Sequence, residues 1–247
     1  MKLNKNQRSL TIISEIHPQF MGSISELKRM ILQSKIGGAD YVKVQLYSSK
    51  KLFNNSDREY LEISRKELKE IKNFSDDHGI GLTASIFDEK RLDWCDELNF
   101  DFYKIASRTL VDDIGLCKKI ISTKKTTIIS LGMYDYSNGK PFTEENVRYL
   151  YCVSKYPTQL FDLKMPDFKK SFFDGFSDHT IGIAACLHAV SKGAKIIEKH
   201  FSNSKNLNVT TQQAHTCSMD LQDLTLLRNL SDSITLVSQT DERNNLK

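Results

Sequence analysis

Charged and ionisable residues close two neighbouring apolar runs of this sequence. In KIIEKHF (195–201), Glu198, Lys199 and His200 directly follow two isoleucines that are typical of a buried strand, and FSDH (176–179) ends the preceding run. Two imidazoles with open coordination positions suit Mn²⁺, Fe²⁺, Co²⁺ or Zn²⁺ acting as a Lewis acid. If the two strands are neighbours, His179 and His200 are expected to bind one metal ion. Asp178 and Glu198 are expected to support these ligands or to position a water.

Two lysines have apolar neighbours on both sides, in YVKVQ (41–45) and FYKIA (102–106). Burying an ammonium group is costly unless an anion pairs with it. If their strands end at the same place, Lys43 and Lys104 predict a bound phosphate or carboxylate. Serine hydroxyls near other strand ends are expected to donate hydrogen bonds to the same anion. These serines are Ser85, Ser107, Ser154 and Ser177.

Short β-type runs alternate with amphipathic stretches along the chain. Eight strands are predicted, at 10–16, 41–46, 80–87, 101–107, 126–132, 149–154, 172–178 and 194–201. Helices are predicted at 22–38, 65–79, 88–98, 111–123, 180–193 and 220–237, with short ones after the second strand, near Glu144–Arg148 and within 158–171.

This alternation predicts the fold class. Strands that alternate with helices indicate a parallel sheet, and eight such units predict closure into a (β/α)₈ TIM barrel, an α/β fold. An open doubly wound sheet is the alternative, but no glycine-rich phosphate loop follows the first strand. Because active sites of barrels form at the carboxyl ends of the strands, the polar residues named above are expected to meet at one mouth.

Composition excludes several functional classes. With 247 residues and 39% apolar content, the chain is expected to form a single domain with a large core rather than a disordered segment. The net charge of +4 comes from intermixed acidic and basic residues, so no basic stripe of the kind that binds nucleic acid is present. No stretch reaches the roughly 18 apolar residues of a membrane helix, and the N-terminus lacks a signal-peptide core. Five scattered cysteines without a CxxC pair favour reduced thiols and a cytoplasmic location.

Six short motifs resemble those of one enzyme family. They are VKVQ (42–45), KIAS (104–107), SLGM (130–133), CVSKYPT (152–158), FSDHTIG (176–182) and EKHFS (198–202). Their order and spacing are similar to those of the sialic acid synthase (N-acetylneuraminate synthase) family. The resemblance implies a transferase that condenses phosphoenolpyruvate with an N-acetylated hexosamine-type aldose. The products would be a nonulosonic (sialic-acid-like) acid and phosphate.

The matching motifs also imply roles for individual residues. Lys43, Lys104 and the four serines would bind the phosphate and carboxylate of phosphoenolpyruvate, with Gln45 and Tyr156 as further substrate-binding residues. His179 and His200 would hold Mn²⁺, with Mg²⁺, Co²⁺ or Zn²⁺ as alternatives. Glu15 and Glu198 would contact the sugar and activate the water that attacks the intermediate.

Several positions depart from the family pattern, most of them on the side expected to hold the sugar. Gln19-Phe20 replaces an Asn-His pair, Lys155 replaces the asparagine of Ser-Asn-Tyr-Pro, and Ala214 replaces an aspartate before His215. Thr109 stands near where family members often have an acid. The resemblance therefore implies phosphoenolpyruvate and metal binding more strongly than any particular acceptor.

The resemblance also bears on domains and partners. Residues 1–247 are expected to form a single barrel domain, without the small antifreeze-like C-terminal domain of the family. A homodimer is expected, and a separate partner chain is a further candidate source of the missing domain.

Two other functions stay open on the residues alone. A barrel aldolase would form a Schiff base between a keto acid and Lys43 or Lys104, with both histidines structural. A non-catalytic barrel would keep the anion site and serve as a scaffold for a partner. Borohydride trapping with pyruvate would identify the first, and phosphoenolpyruvate binding without turnover would identify the second.

Overall fold

Eight parallel strands hydrogen-bond in chain order, and the last pairs with the first to close a barrel. The computed structural model describes residues 9–207 and 214–244. The strands are β1 (Thr11–Glu15), β2 (Tyr41–Leu46), β3 (Gly81–Ile86), β4 (Phe102–Ile105), β5 (Thr126–Ser130), β6 (Val147–Cys152), β7 (Gly175–Asp178) and β8 (Ile196–His200). The predicted TIM barrel is confirmed, and the open doubly wound alternative is wrong.

The helices surround this barrel. They are α1 (Ile24–Gly37), α2 (Ser49–Phe53), α3 (Arg65–Asp77), α4 (Glu89–Glu97), α5 (Ser107–Asp112), α6 (Ile114–Ser122), α7 (Ala184–Ser191) and α8 (Leu221–Asn244). The connections after β5 and β6 contain only 3₁₀ turns, at Tyr136–Asn138 and Leu160–Asp162. None of the described helices is long and apolar enough to cross a bilayer.

Three predicted helices differ in the structure. The short helix predicted near Glu144–Arg148 is wrong, because Val147 pairs with Thr127 of β5 and begins β6. Sheet pairing there outweighs the local helix preference of the glutamates. The helix predicted over 111–123 is divided at Asp113, whose carboxylate accepts the N–H of Leu116 and starts α6. The last helix continues beyond the predicted end at residue 237 to Asn244.

The barrel interior changes from apolar to polar toward the carboxyl ends of the strands. Ile13, Phe102, Ile128 and Leu150 form a buried apolar cluster that is separate from the main core. Because alternate residues of a strand face the same side, the next inward positions lie two residues further on. Those positions are occupied by Glu15, Lys104, Ser130 and Cys152. The apolar cluster therefore lies directly beneath the polar residues at the carboxyl ends of the strands.

Helices α1 and α8 pack closely against each other at the side of the barrel. A Cβ atom added to Gly37 would lie only 2.7 Å from Cδ2 of Leu224, so a larger residue there would force the Leu224 side chain to shift. Beside it, Arg228 of α8 is buried, and its Nη2 atom lies 2.5 Å from Oδ2 of Asp40. That carboxylate also accepts the N–H of Ile12 in β1 (2.8 Å). The last helix is thereby tied to the first strand, which carries Glu15.

We expect Arg228→Ala to destabilise the barrel by roughly 3–5 kcal/mol, because it leaves the buried Asp40 carboxylate without its guanidinium partner. Urea denaturation followed by circular dichroism measures the change. Arg65→Ala is the matched control, since Arg65 pairs with Glu97 on the surface, and it is expected to change stability by less than about 0.5 kcal/mol. Equal effects of the two substitutions would contradict this account.

Candidate active site

A cavity of about 400 Å³ opens at the carboxyl end of the barrel. This volume is within the roughly 300–1,000 Å³ range of small-molecule sites. All of the residues predicted from the sequence to bind substrate or metal or to act in catalysis line it. They are Glu15, Lys43, Gln45, Ser85, Lys104, Ser107, Ser154, Tyr156, Ser177, His179, Glu198 and His200. The prediction that these side chains share one mouth is confirmed, while their chemical roles stay predictions.

Two lysines and two glutamates form a buried charge network at the base of this cavity. The Nζ atom of Lys43 contacts the Glu15 carboxylate and lies 3.4 Å from Oε1 of Glu198. The Nζ atom of Lys104 lies 3.8 Å from the same Oε1 atom. All four residues are at most 5% exposed. Burying these charges is tolerable only because each ammonium has a carboxylate partner.

Serine hydroxyls complete the hydrogen bonding of this network. Lys43 donates to Oγ of Ser85 (3.0 Å), and Lys104 donates to Oγ of Ser130 (2.7 Å). Ser177 in turn donates to Oε1 of Glu198 (3.0 Å). The other carboxylate oxygen of Glu198 is buried and accepts no hydrogen bond from any described residue. It is therefore able to accept one from a substrate hydroxyl or a water.

Burial shifts the proton affinities of these groups in different directions. Burial raises the pKa of Glu15 to about 7 despite the opposing charge of Lys43, so its proton exchanges near neutral pH. Burial also lowers the pKa of Lys104 to about 8, although Glu198 opposes the shift. For Glu198, burial is outweighed by the Lys104 and Lys43 charges, which hold its pKa below the usual range. The site thus combines one carboxylate whose pKa lies below the usual range with two groups whose pKa values are about 7 and about 8.

His179 and His200 lie side by side at the ends of β7 and β8, with ring centroids 5.7 Å apart. Burial lowers the pKa of His179 to about 4 and the pKa of His200 well below its usual value, so both rings are neutral at physiological pH. Nδ1 of His179 lies 2.9 Å from the carbonyl of Val153. Since a carbonyl can only accept, Nδ1 carries the proton and the lone pair of this ring is on Nε2.

The chemistry of this pair fits a divalent transition-metal ion. Neutral imidazoles are the form that binds metals, and a hydrogen bond from the other ring nitrogen is the usual way such ligands are oriented. Within residues 9–207 and 214–244, no group of three or more His, Cys, Asp or Glu side chains has the arrangement of a metal site. An ion held by His179 and His200 would therefore take its other ligands from substrate or water.

Two residues of the SDH and EKH motifs face away from the cavity. Nζ of Lys199 lies 2.7 Å from Oδ2 of Asp178, and both side chains are completely buried. Asp178 also accepts the N–H of Thr180 (2.8 Å). The expectation that Asp178 supports the metal ligands directly or positions a water is wrong, because Asp178 and Lys199 are outward residues of adjacent strands. Their ion pair instead fixes the turn that carries His179.

The positions that depart from the family pattern also have structural explanations. The amide of Gln19 contacts Nδ1 of His200 (3.1 Å from Nε2) and donates to the carbonyl of Ala214 (3.3 Å). Lys155 pairs with Asp162 (2.9 Å) on the surface and does not line the cavity. Gln19 therefore contacts both a predicted metal ligand and a second departing position, and the added cation of Lys155 is paired on the surface.

Sequence reasoning assigned no role to several residues that line the cavity. Ser130 ends β5 and belongs to the SLGM motif, so the sequence placed it at a strand end like the other serines. Arg58 and Arg108 come from a loop and from the start of α5, where no periodic signal points inward. Ser107 is the first residue of α5 rather than the end of β4, and its hydroxyl accepts the N–H of Gly132 (3.0 Å).

Comparisons with known proteins agree with this geometry. The family model described as NeuB family matches residues 30–243. The chain is 31% identical over 225 residues to the mouse N-acetylneuraminate-9-phosphate synthase, covering 78% of this chain and 62% of that protein. It is 27% identical over 276 residues to N,N'-diacetyllegionaminic acid synthase of Campylobacter jejuni, covering 94% of this chain and 81% of that protein.

A solved structure has the same architecture. The N-acetylneuraminic acid (sialic acid) synthetase of Leptospira borgpetersenii, crystallised with citrate, superposes with a TM-score of 0.84 at 25% identity. The alignment covers 96% of this chain and 89% of that one. By contrast, the chain spans less than two thirds of the length of the mouse relative.

We expect the affinity of this site for sulfate, which keeps one charge state above mildly acidic pH, to fall as pH rises from 6 to 9. Glu15 gains a negative charge near pH 7, and Lys104 loses its positive charge near pH 8. Each step weakens anion binding by up to about tenfold per pH unit. Isothermal titration calorimetry measures the dissociation constant.

Two variants separate the steps of this pH profile. Lys104→Met should remove the step near pH 8 and Glu15→Gln the step near pH 7. A dissociation constant that does not change with pH in the unmodified protein would contradict the expectation.

Proposed function

Because the chain belongs to the NeuB family, we propose that it condenses phosphoenolpyruvate with an N-acetylated hexosamine-type aldose to give a nonulosonic acid and phosphate. The observation that supports this most is one cavity that joins two buried lysines and several serine hydroxyls to two neutral imidazoles. The named relatives make N-acetylneuraminate 9-phosphate and diacetyllegionaminic acid, so the family does not fix the acceptor.

The charge network is suited to a small dianion or trianion. Lys43 and Lys104, with the hydroxyls of Ser85 and Ser130, are the proposed donors to the phosphate and carboxylate of phosphoenolpyruvate. Charge-assisted hydrogen bonds of this kind are the strong ones. When the anion binds, it takes over part of the pairing that Glu15 and Glu198 provide. Its charge also favours the protonated form of Lys104.

The imidazoles are the proposed holders of a divalent ion such as Mn²⁺. When bound, the ion supplies Lewis-acid polarisation of the aldehyde oxygen. His179 and His200 would hold this ion, and Tyr156 packs against His179 with ring centroids 4.1 Å apart. Gln19 orients the His200 ring from behind.

The proposed condensation forms a carbon–carbon bond and exchanges the phosphate oxygen on C2 for a water oxygen. C3 of phosphoenolpyruvate attacks the aldehyde carbon of the sugar, and the aldehyde oxygen takes up a proton. Glu15, with a pKa of about 7, is the proposed donor of that proton. A water oxygen then adds at C2, and one of its protons passes to Glu198. The remaining proton of the new C2 hydroxyl passes to the phosphate as the bond between C2 and the phosphate oxygen breaks, which leaves a keto group at C2. The keto acid and inorganic phosphate are released.

The predicted homodimer and separate partner chain stay predictions. Sedimentation velocity of the purified chain measures the first of them, and the dimer is expected to have twice the mass of the 28.3 kDa protomer.

We expect phosphate release from phosphoenolpyruvate to depend on both Mn²⁺ and an aldose. A suitable panel contains N-acetylmannosamine, its 6-phosphate, diacetamido-trideoxyhexoses and mannose. His179→Ala and His200→Ala should each lower the rate by at least about 10²-fold, the order found for lost electrostatic stabilisation. His78→Ala and His188→Ala, at exposed histidines, are the matched controls and should keep the full rate. Release that needs no sugar, or that survives in both ligand variants, would refute the proposal.

The lowered pKa of Lys104 is the one observation that favours the alternative Schiff-base aldolase. We expect no covalent adduct, because the Lys104 amine is held by Ser130 and the Ile105 carbonyl (3.1 Å). Borohydride reduction in the presence of pyruvate, followed by mass spectrometry, checks this. An adduct on Lys104 or Lys43 would favour the aldolase instead.

A further inference from the structure

Two arginines stand at the outer edge of the cavity and share one aromatic ring. The guanidinium carbon of Arg58 lies 4.7 Å from the centroid of Phe53, and that of Arg108 lies 5.6 Å from it. All three residues line the cavity. Contacts of this kind hold a cation against an aromatic face. We call Phe53, Arg58 and Arg108 the cationic rim.

Hydrogen bonds to a buried serine fix the loop that contains Arg58. The hydroxyl of Ser49, which is completely buried, accepts the N–H of Arg58 (3.2 Å) and donates to the carbonyl of Asn55 (2.9 Å). Arg108 is the second residue of α5, directly after Ser107. The rim therefore has a defined position relative to the deeper serines and lysines.

The rim arginines differ from the other arginines in having no acidic partner. Within residues 9–207 and 214–244, neither guanidinium has a carboxylate within 4 Å, whereas the other described arginine side chains each pair with one. Those pairs join Arg29 to Glu26, Arg65 to Glu97, Arg91 to Asp88, Arg148 to Asp174 and Arg228 to Asp40. The two exceptions are the arginines that face the cavity.

The charge of the lining is unevenly distributed. Its base holds Lys43 and Lys104 against Glu15 and Glu198, so the cations there are matched by carboxylates. The rim adds two cations without adding an acid. The base suits one anion that displaces carboxylate contacts, and the rim suits a second anion placed nearer to solvent. Planar guanidinium groups match the oxygens of a phosphate ester particularly well.

We propose that the cationic rim binds a phosphate ester on the acceptor, so that the aldose condensed at this site is a hexosamine phosphate rather than a neutral sugar. The inference rests on the proposed function for the identity of the two substrates. The aldehyde end of the acceptor lies toward the histidines and phosphoenolpyruvate, and the phosphate at its far end lies toward Arg58 and Arg108.

The test compares a matched pair of sugars, N-acetylmannosamine and N-acetylmannosamine 6-phosphate. Each is titrated calorimetrically into the protein with Mn²⁺ but without phosphoenolpyruvate, so that no condensation interferes. We expect the phosphate ester to bind at least about tenfold more tightly, the effect of charge-assisted hydrogen bonds. Arg58→Gln and Arg108→Gln should each reduce this preference, and the double variant should abolish it.

Control variants separate charge, geometry and folding. Arg65→Gln, outside the cavity, should keep the full preference. Arg58→Lys and Arg108→Lys keep the charge but lose the planar fork, so they should keep part of it. Thermal melting identifies any variant that fails to fold. If a glutamine variant fails, the corresponding lysine variant is compared with the unmodified protein instead.

Steady-state kinetics then shows which substrate the rim serves. With phosphoenolpyruvate present, the glutamine variants should raise KM for the sugar phosphate and leave KM for phosphoenolpyruvate unchanged. Equal binding of the two sugars would overturn the rim proposal, and so would an increase in KM for phosphoenolpyruvate alone.

The two proposals fail in distinguishable ways. Tight binding of the sugar phosphate without any consumption of phosphoenolpyruvate would support the rim and refute the synthase. Condensation of neutral and phosphorylated sugars with equal kcat/KM would support the synthase and overturn the rim.

Discussion

Four buried charges at the mouth of the barrel depend on one another. Lys43 and Lys104 are tolerated there because Glu15 and Glu198 neutralise them, and the carboxylates are tolerated for the same reason. The four groups come from β1, β2, β4 and β8, which meet only because the sheet closes on itself. Closure of the barrel is therefore a condition for the charges to be buried, and the apolar cluster around Ile13 supports them from below.

This mutual dependence also gives the site its chemistry. The charges of the two lysines are balanced by the two glutamates. Even so, serine hydroxyls already orient both ammonium groups, as binding of an anion requires. Under the proposed function, the carboxylates released from pairing become available for proton transfer beside the bound anion. Burial raises the pKa of Glu15 and lowers the pKa of Lys104, so the same desolvation that makes the cluster costly tunes it to neutral pH.

The two-residue period of the strands divides each motif between two environments. Glu198 and His200 face the cavity, whereas Lys199 between them joins Asp178 on the outer side of the barrel. The outer ion pair holds the turn at His179, and the inner residues carry the proposed chemistry. A cluster that is continuous in sequence thus separates into a functional part and a structural part. The cationic rim shows the opposite relation between sequence and structure. Its two arginines are 50 residues apart in the chain and come together only at the cavity edge.

The sequence by itself determined the barrel and the members of its deep site. Strand and helix periods are local properties, and strand ends must gather at one mouth once eight units close, so the lysines, the histidines, both glutamates and most of the serines were predictable. Local signals misplaced the helix near Glu144, where sheet pairing decided the structure. Only the tertiary structure decided that Asp178 turns outward, that Gln19 reaches His200, and that Arg58 joins Arg108 at Phe53. Those outcomes depend on loop paths and on contacts between residues far apart in the chain, for which a single sequence carries no periodic signal.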